Sequence, residues 1–296
     1  MTLTDVSCLI PLYRSSPLLD LVFGNIDEHV AQGAVVLCSD QHGLDEAADR
    51  IVERYRDEPL VTVLRSTAGG NWVSNVNALI SHASTDFFRI IPHDDSVEAA
   101  STGWLAETLR SRPDAVLCHG HVRAEHVDGR RLPDRDEPNL PLRPREGREQ
   151  FSMGLFWQGL FNGAFKALVR RQCLPSGPLL VRPTLDLVHA ERAWLFGLSL
   201  IGEFLFDDRA TMRKRYWTGS LTAGWTPDAS HVMSTAHTMA SYANDLVTDP
   251  GLRRRLRFNA YFNALERSNW LDGFVVSPPE FDGLTPTDGL RVGLPT

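Results

Sequence analysis

Cysteine is scarce in this chain and shows no pattern. Cys8, Cys38, Cys118 and Cys173 stand singly among 296 residues. No two have the spacing of a zinc site. Three of them lie inside apolar, β-like runs, so all four read as reduced structural thiols. Basic charge is also short. The 30 Lys and Arg face 37 Asp and Glu, giving a net charge of −7 and a pI of about 5.8. That balance argues against a nucleic-acid binder, although it leaves room for a local basic patch. No apolar run is long enough for a membrane span. The opening residues, MTLTDVSCLIPLYR, lack a basic segment followed by a long apolar one, so no secretory leader is expected there. Internal repeats and low-complexity tracts are missing too. These absences lead to the expectation of a cytoplasmic globular protein.

Hydrophobic residues make up 43% of the chain, enough for a substantial core in one large α/β domain or two small ones. Strand-like and helix-like stretches alternate through the first 125 residues. VSCLIPL (6–12), AVVLCS (34–39), LVTVLRS (60–66), FFRIIP (87–92) and DAVLCHGHVRAEH (114–126) read as strands. Between them, SPLLDLVFGNIDEHVAQ (16–32), GLDEAADRIVERYRDE (43–58), WVSNVNALISHAS (72–84) and EAASTGWLAETLRSR (98–112) read as helices. Such an order, with nearly continuous apolar strands, predicts a parallel sheet covered on both faces. Ligands of such sheets bind beyond the carboxyl ends of the strands. Asp40 and the adjacent pair Asp94 and Asp95 fall at two of those ends.

The second half changes character. Residues 128–150 are polar and proline-rich and read as a long surface loop. An apolar stretch follows, FSMGLFWQGLFNGAFKALVRR, then a helix with an acidic start, LDLVHAERAWLFGLSLIG, and a basic segment, RATMRKRYWTGS. From about 228 to 270 the pattern is helical.

Several motifs, in this order, resemble those of family-two glycosyltransferases with the GT-A fold. SCLIPLYR resembles their opening strand, which usually carries P-x-Y. VVLCSDQH resembles their second strand, which normally ends D-D-G-S. GGNWVSNVNALISHASTDFFRIIPHDD resembles a segment with N-x-N that leads into a strand ending H-D-D. RPDAVLCHGHVRAEHVDGR resembles the unit after it. GAFKALVRR and HAERAWLFGLSLIGEF resemble the acceptor-side region. The likeness covers residues 5 to 220. It implies a Rossmann-like, mostly parallel sheet flanked by helices, with a helical C-terminal extension. The implied division is a GT-A domain over 1–225, with a nucleotide-binding half at 1–127 and an acceptor-side half at 128–225, followed by the extension at 226–296.

The resemblance also implies a chemistry. A sugar would pass from a nucleoside-diphosphate donor (UDP, dTDP or GDP) to an acceptor hydroxyl on a glycan, a lipid-linked sugar or a small molecule. A divalent cation, Mn²⁺ or Mg²⁺, would neutralise the leaving diphosphate. Asp95, at the last position of the D-x-D motif, is then the metal ligand, and Asp94 contacts ribose or a metal-bound water. Here His93 takes the first acidic position, so the motif is reduced. A plainer reading makes the acid a helix cap. Asp40 would accept a hydrogen bond from the base, or else cap an ordinary turn. Pro11 and Tyr13 occupy the P-x-Y positions beside the nucleotide, where Tyr13 could equally be packing at a strand end. Asn75 and Asn77, two apart on a helix, must face different ways, one toward the cleft and one toward a strand. Val76 stands where many relatives have arginine. Glu191 sits at the acceptor-side acidic position and is the candidate general base, with Asp186 as the fallback and His189 nearby. Arg213 and Arg215 are candidates to pair with phosphate, and Trp217 falls where relatives often carry histidine.

A rival from another class is a non-catalytic, nucleotide-sugar-binding relative of the same fold, which the reduced motif and the missing histidine favour. A sugar-phosphate nucleotidyltransferase shares the alternating order, but LYRSSPLL lacks its glycine-rich basic loop. The segment LRRRLRFNAYFNAL has the residues of a bilayer-surface helix, so peripheral attachment at the inner face of a membrane stands beside the plainer expectation of a packed helix.

Overall fold

The protein is described by a computed structural model over residues 2–40, 46–65, 70–133, 136, 161–217, 219–220 and 224–267. Most of the expected 128–150 loop, the FSMGLFWQGL stretch and the chain beyond 267 lie outside the described residues. The chain forms two units. One takes residues 1–142, 162–180 and 202–225, and the other takes 143–161, 181–201 and 226–296. Residues 181–201 thus group with the C-terminal helices, whereas the expected 1–225 domain included them.

The first unit is built on an eight-stranded sheet. Its strands are β1 (Val6–Leu12), β2 (Val35–Asp40), β3 (Val61–Arg65), β4 (Phe87–Ile90), β5 (Ser96–Val97), β6 (Ala115–His126), β7 (Leu168–Arg170) and β8 (Glu203–Tyr216). They lie in the order β3-β2-β1-β4-β7-β6-β8-β5. Helices α1 (Leu19–Val30), α2 (Glu46–Arg54), α3 (Trp72–His82), α4 (Ala99–Ser111) and the short α5 (Phe161–Phe165) accompany them. The apolar runs of β1, β2 and β4 are buried, as expected of parallel strands covered on both faces. β1 pairs in parallel with both β2 and β4, in a register that sets Leu12 against Asp40 and Leu9 against Ile90. The carboxyl ends of all three strands therefore lie along one edge of the sheet.

Three strands were not foreseen. β7 is only three residues long and runs antiparallel between β4 and β6. β5 has two residues and joins the sheet antiparallel to β8. β8 includes the segment read as merely basic. Ala210 and Met212 point into the core while Arg213 is exposed, so the two-residue period was hidden under the charge. β8 runs parallel to β6 with a register shift between His119 and His121. Gly120 sits at that shift, and a Cβ there would meet the Ala210 carbonyl oxygen at 2.3 Å. The close backbone approach explains a glycine inside the strand.

The second unit contains α6 (Ala190–Ser199), α7 (Ala229–Leu246) and α8 (Pro250–Arg267), with α6 packed on α7 and α7 on α8. Asp228 opens α7 through a reciprocal cap with His231. Arg182 anchors the preceding segment. Its guanidinium lies 4.3 Å from the Tyr242 ring centre and pairs with Asp245 at 2.6 Å, and its N–H donates to the Tyr242 hydroxyl at 2.9 Å. On α8, Leu256, Ala260 and Ala264 recur at four-residue spacing and are buried. The basic, aromatic segment is thus a packed helix. No helix among the described residues is long and apolar enough to cross a membrane.

Candidate active site

The edge formed by β1, β2 and β4 carries most of the expected site residues. Pro11 lies opposite Ser39 near the end of β1. The turn after β1 is tight. The Tyr13 N–H donates to the buried Ser15 hydroxyl at 2.9 Å, and Arg14 is held at a φ of 51°, which is unusual for a side chain of its kind. Asp40 ends β2 and is 2% exposed. The Ser39 hydroxyl donates to Asn75 Oδ1, and Asn75 Nδ2 donates back to the Ser39 carbonyl at 3.2 Å. Asn75 is therefore the member of the Asn pair that faces a strand. It ties α3 to the end of β2 next to Asp40. Asn77 is half-buried on the same helix.

Beyond β4 the chain turns through His93, Asp94 and Asp95. Asp95 is 1% exposed, and its carboxylate has one hydrogen bond and one ion pair. Oδ1 accepts from the Arg215 N–H at 3.0 Å, and Oδ2 lies 2.5 Å from Lys166 Nζ. Burial pushes the Asp95 carboxyl up, against the pull of the Lys166 ammonium, and the neighbouring Asp94 adds to the rise. Asp94 is half-buried, and its Oδ2 accepts from the Trp217 indole N–H at 3.1 Å. His93 is buried, and its Nε2 has no partner among the described residues.

The pair of Asp95 and Lys166 rests on a buried polar scaffold. Asn25 of α1 donates to the Asp95 carbonyl at 2.8 Å, and its side-chain oxygen accepts from the Val97 N–H at 3.0 Å. Arg89 of β4 donates to the Lys166 carbonyl at 3.0 Å and to the Thr102 hydroxyl at 2.8 Å. Thr102 also meets His29 Nε2 at 2.9 Å, and His29 Nδ1 meets the Asn25 carbonyl at 2.7 Å. A carbonyl can only accept, so Nδ1 carries a proton, and in the neutral ring Nε2 takes the Thr102 hydroxyl hydrogen. Burial, with Arg89 nearby, lowers the His29 pKa to about 4.

Lys166, Asn25 and Arg89 were missed in the sequence. One signal was there to find. Of the 30 basic Lys and Arg residues only two are lysines, Lys166 and Lys214, and Lys166 stands in an apolar stretch. In a chain that otherwise uses arginine, a lysine among apolar neighbours marks a place that needs a compact point charge.

The basic candidates separate. Arg213 is largely exposed and pairs with Glu98 at 2.5 Å. Arg215 sends its backbone N–H to Asp95, and its buried Nε has no partner among the described residues. In the second unit, Glu191 stands in the first turn of α6. Just before it, Asp186, Leu187 and His189 all have positive φ, at 48°, 62° and 62°. Strain concentrated in this way is typical of functional loops. The Asp186 carboxylate lies 3.3 Å from His231 Nε2.

A divalent cation fits this arrangement poorly. It needs several oxygen ligands, and both Asp95 oxygens already face N–H or ammonium donors. One Asp94 oxygen faces an indole N–H. No group of three His, Cys, Asp or Glu among the described residues is placed to hold a metal ion.

No protein-family model matches the chain. No curated protein matches it by sequence. Solved structures do match it. Residues 1–349 of S. aureus TarS in complex with UDP-GlcNAc align with a TM-score of 0.66 at 12% identity, over 90% of this chain and 74% of that one. The same TarS segment in complex with UDP aligns at 0.61 and 11% identity, over 90% and 73%. A longer S. aureus TarS chain aligns at 0.59 and 12% identity, over 91% of this chain and 45% of that one. At such identities the likeness concerns architecture, and the architecture is the GT-A fold: a mixed α/β sheet of eight strands flanked by helices.

Proposed function

We propose that this protein is a glycosyltransferase that moves a sugar from a nucleoside-diphosphate donor to an acceptor hydroxyl by a single displacement with inversion. The observation that carries this reading is the shared edge of β1, β2 and β4 in a GT-A sheet. Along it lie Pro11, Tyr13, Asp40 and Asp94, residues of the type a nucleoside needs, and beyond β4 the Asp95–Lys166 pair brings an ammonium group of the type a diphosphate needs. The TarS segment with this architecture is solved with UDP-GlcNAc and with UDP, which supports a nucleotide-sugar as donor.

In this reading Asp40 accepts an N–H from the base, with Asn75 holding the end of β2 in place. Asp94 faces the ribose, and Arg215 faces the diphosphate. The acceptor hydroxyl attacks the anomeric carbon. Its proton passes to a base, assigned to Glu191 with Asp186 as the fallback. The bond from the sugar to the phosphate oxygen breaks, and its electron pair leaves on the nucleoside diphosphate. The acceptor is a glycan, a lipid-linked sugar or a small molecule, and the reaction is placed in the cytoplasm, with the inner membrane face as the alternative station. The divalent cation expected from the family resemblance is given no step in this reading, because the Lys166 ammonium sits against Asp95 where that cation is expected.

The second reading is a non-catalytic binder of nucleotide-sugars, favoured by His93 in the D-x-D position and Trp217 in place of histidine. One panel separates the two. UDP-, dTDP- and GDP-sugars are incubated with the protein, and both nucleotide release and sugar transfer to a mixed acceptor panel are measured. Turnover of any donor supports the transferase. Saturable binding without turnover of any donor supports the binder, and no binding at all removes both.

A further inference from the structure

We propose that Lys166, together with Arg215, supplies the positive charge that a divalent cation would otherwise bring to the diphosphate, so that this chain binds a nucleoside diphosphate without metal. The inference rests on the donor class proposed above and adds how that site neutralises its ligand.

Four observations carry it. First, Lys166 Nζ lies 2.5 Å from Asp95 Oδ2, at the acid where the resemblance expects the cation. Second, two of the other carboxylate oxygens already accept from donors of the protein: Asp95 Oδ1 from the Arg215 N–H and Asp94 Oδ2 from the Trp217 indole N–H. Third, the charges balance as they would with metal. Asp94 and Asp95 bring two negative charges, and Lys166 and Arg215 bring the two positive charges of one divalent ion. Fourth, Lys166 is held from both sides of its own peptide. Its N–H donates to the Gly163 carbonyl at 3.1 Å, and its carbonyl accepts from Arg89 at 3.0 Å. Arg89 is itself buried and bonded to Thr102. A cation fixed in this way costs little reorganisation when an anion arrives, which is what electrostatic stabilisation of a leaving group requires. Arg215 complements it. Its Nε is buried and has no partner among the described residues, so the guanidinium keeps a donor in reserve for an anion.

Titration calorimetry with UDP, dTDP and GDP tests the proposal, each in EDTA and again in Mn²⁺. The expected result is that at least one nucleotide binds the native protein with the same affinity, within about twofold, in both solutions. Lys166→Met then weakens that nucleotide at least tenfold in EDTA and changes the corresponding nucleoside little. Removing Lys166 alone leaves Asp95 buried and uncompensated, so Lys166→Met with Asp95→Asn is measured beside it, with melting temperature as the check on folding. The double variant is expected to fold, to lose the same affinity and to gain none from Mn²⁺. Lys166→Arg is expected to recover part of it. The proposal is overturned if the native protein needs Mn²⁺ to bind, or if the folded double variant binds in EDTA as the native protein does. The donor reading survives in both cases. If no nucleotide binds the native protein in either solution, the donor reading fails and takes the proposal with it.

Discussion

Glu191 illustrates how much one residue can be asked to do. It is the acid in the first turn of α6, next to a loop where three side-chain-bearing residues take the left-handed conformation. If it is the base, Glu191→Gln keeps its size and hydrogen bonding but cannot take a proton, and loss of a general base costs on the order of 10²–10⁴ in rate. Transfer kcat should fall by that factor with donor affinity nearly unchanged, while Asp186→Asn does much less. Initial-rate kinetics decide it, and the reverse ranking would move the base to Asp186. Among single residues, the places of Asp40, Asp94 and Asp95 at or just beyond strand ends could be read directly, because acids that follow an apolar strand are conspicuous in a chain. Lys166 could not be assigned to Asp95 in that way. Its partner is remote in sequence, and only β7, lying beside β4, brings the two together.

At the scale of elements, two features invite measurement. β6 and β8 approach so closely at Gly120 that a methyl group would strike the Ala210 carbonyl. Gly120→Ala should cost about 1–3 kcal/mol, the usual price of overpacking, as read by urea denaturation. Helix α1 contributes the second feature, the buried His29 that meets the Asn25 carbonyl and the Thr102 hydroxyl. Its folded pKa of about 4 lies below the ordinary 6.5. Below pH 6.5 the unfolded chain takes up a proton that the native His29 refuses, so stability is full above 6.5 and falls as the pH drops toward 4. The loss amounts to about 3 kcal/mol at most. His119, also lowered to about 4 by burial, acts in the same direction over the same window. The Asp95 carboxyl, raised by burial, works against them. Urea midpoints measured from pH 7 to 4.5 should fall, and His29→Gln, though less stable at pH 7, should flatten the slope. The long helices and apolar strands were legible from periodicity. β5 and β7 were not, because two or three residues carry no period, and the alternation in β8 was masked by its arginines.

For the molecule as a whole, ligand linkage gives the broadest test. A nucleotide that binds only the folded state adds about 2.7 kcal/mol at a hundredfold excess over Kd. At roughly 2–4 °C per kcal/mol for a domain of this size class, the melting temperature should rise by about 5–11 °C. A differential scan with each nucleoside diphosphate reads this directly, and a flat response to all of them would count against a nucleotide site. The alternating strand and helix order, the parallel first half and the acids at the strand ends were determined by the sequence alone, because each depends on local periodicity or on the next few residues. The grouping of 181–201 with the C-terminal helices, the antiparallel insertion of β7 and the pairing of Asp95 with Lys166 were settled only by tertiary structure. They bring together residues distant along the chain, and what selects such neighbours is the joint burial of apolar surface and the need of each buried charge for a partner.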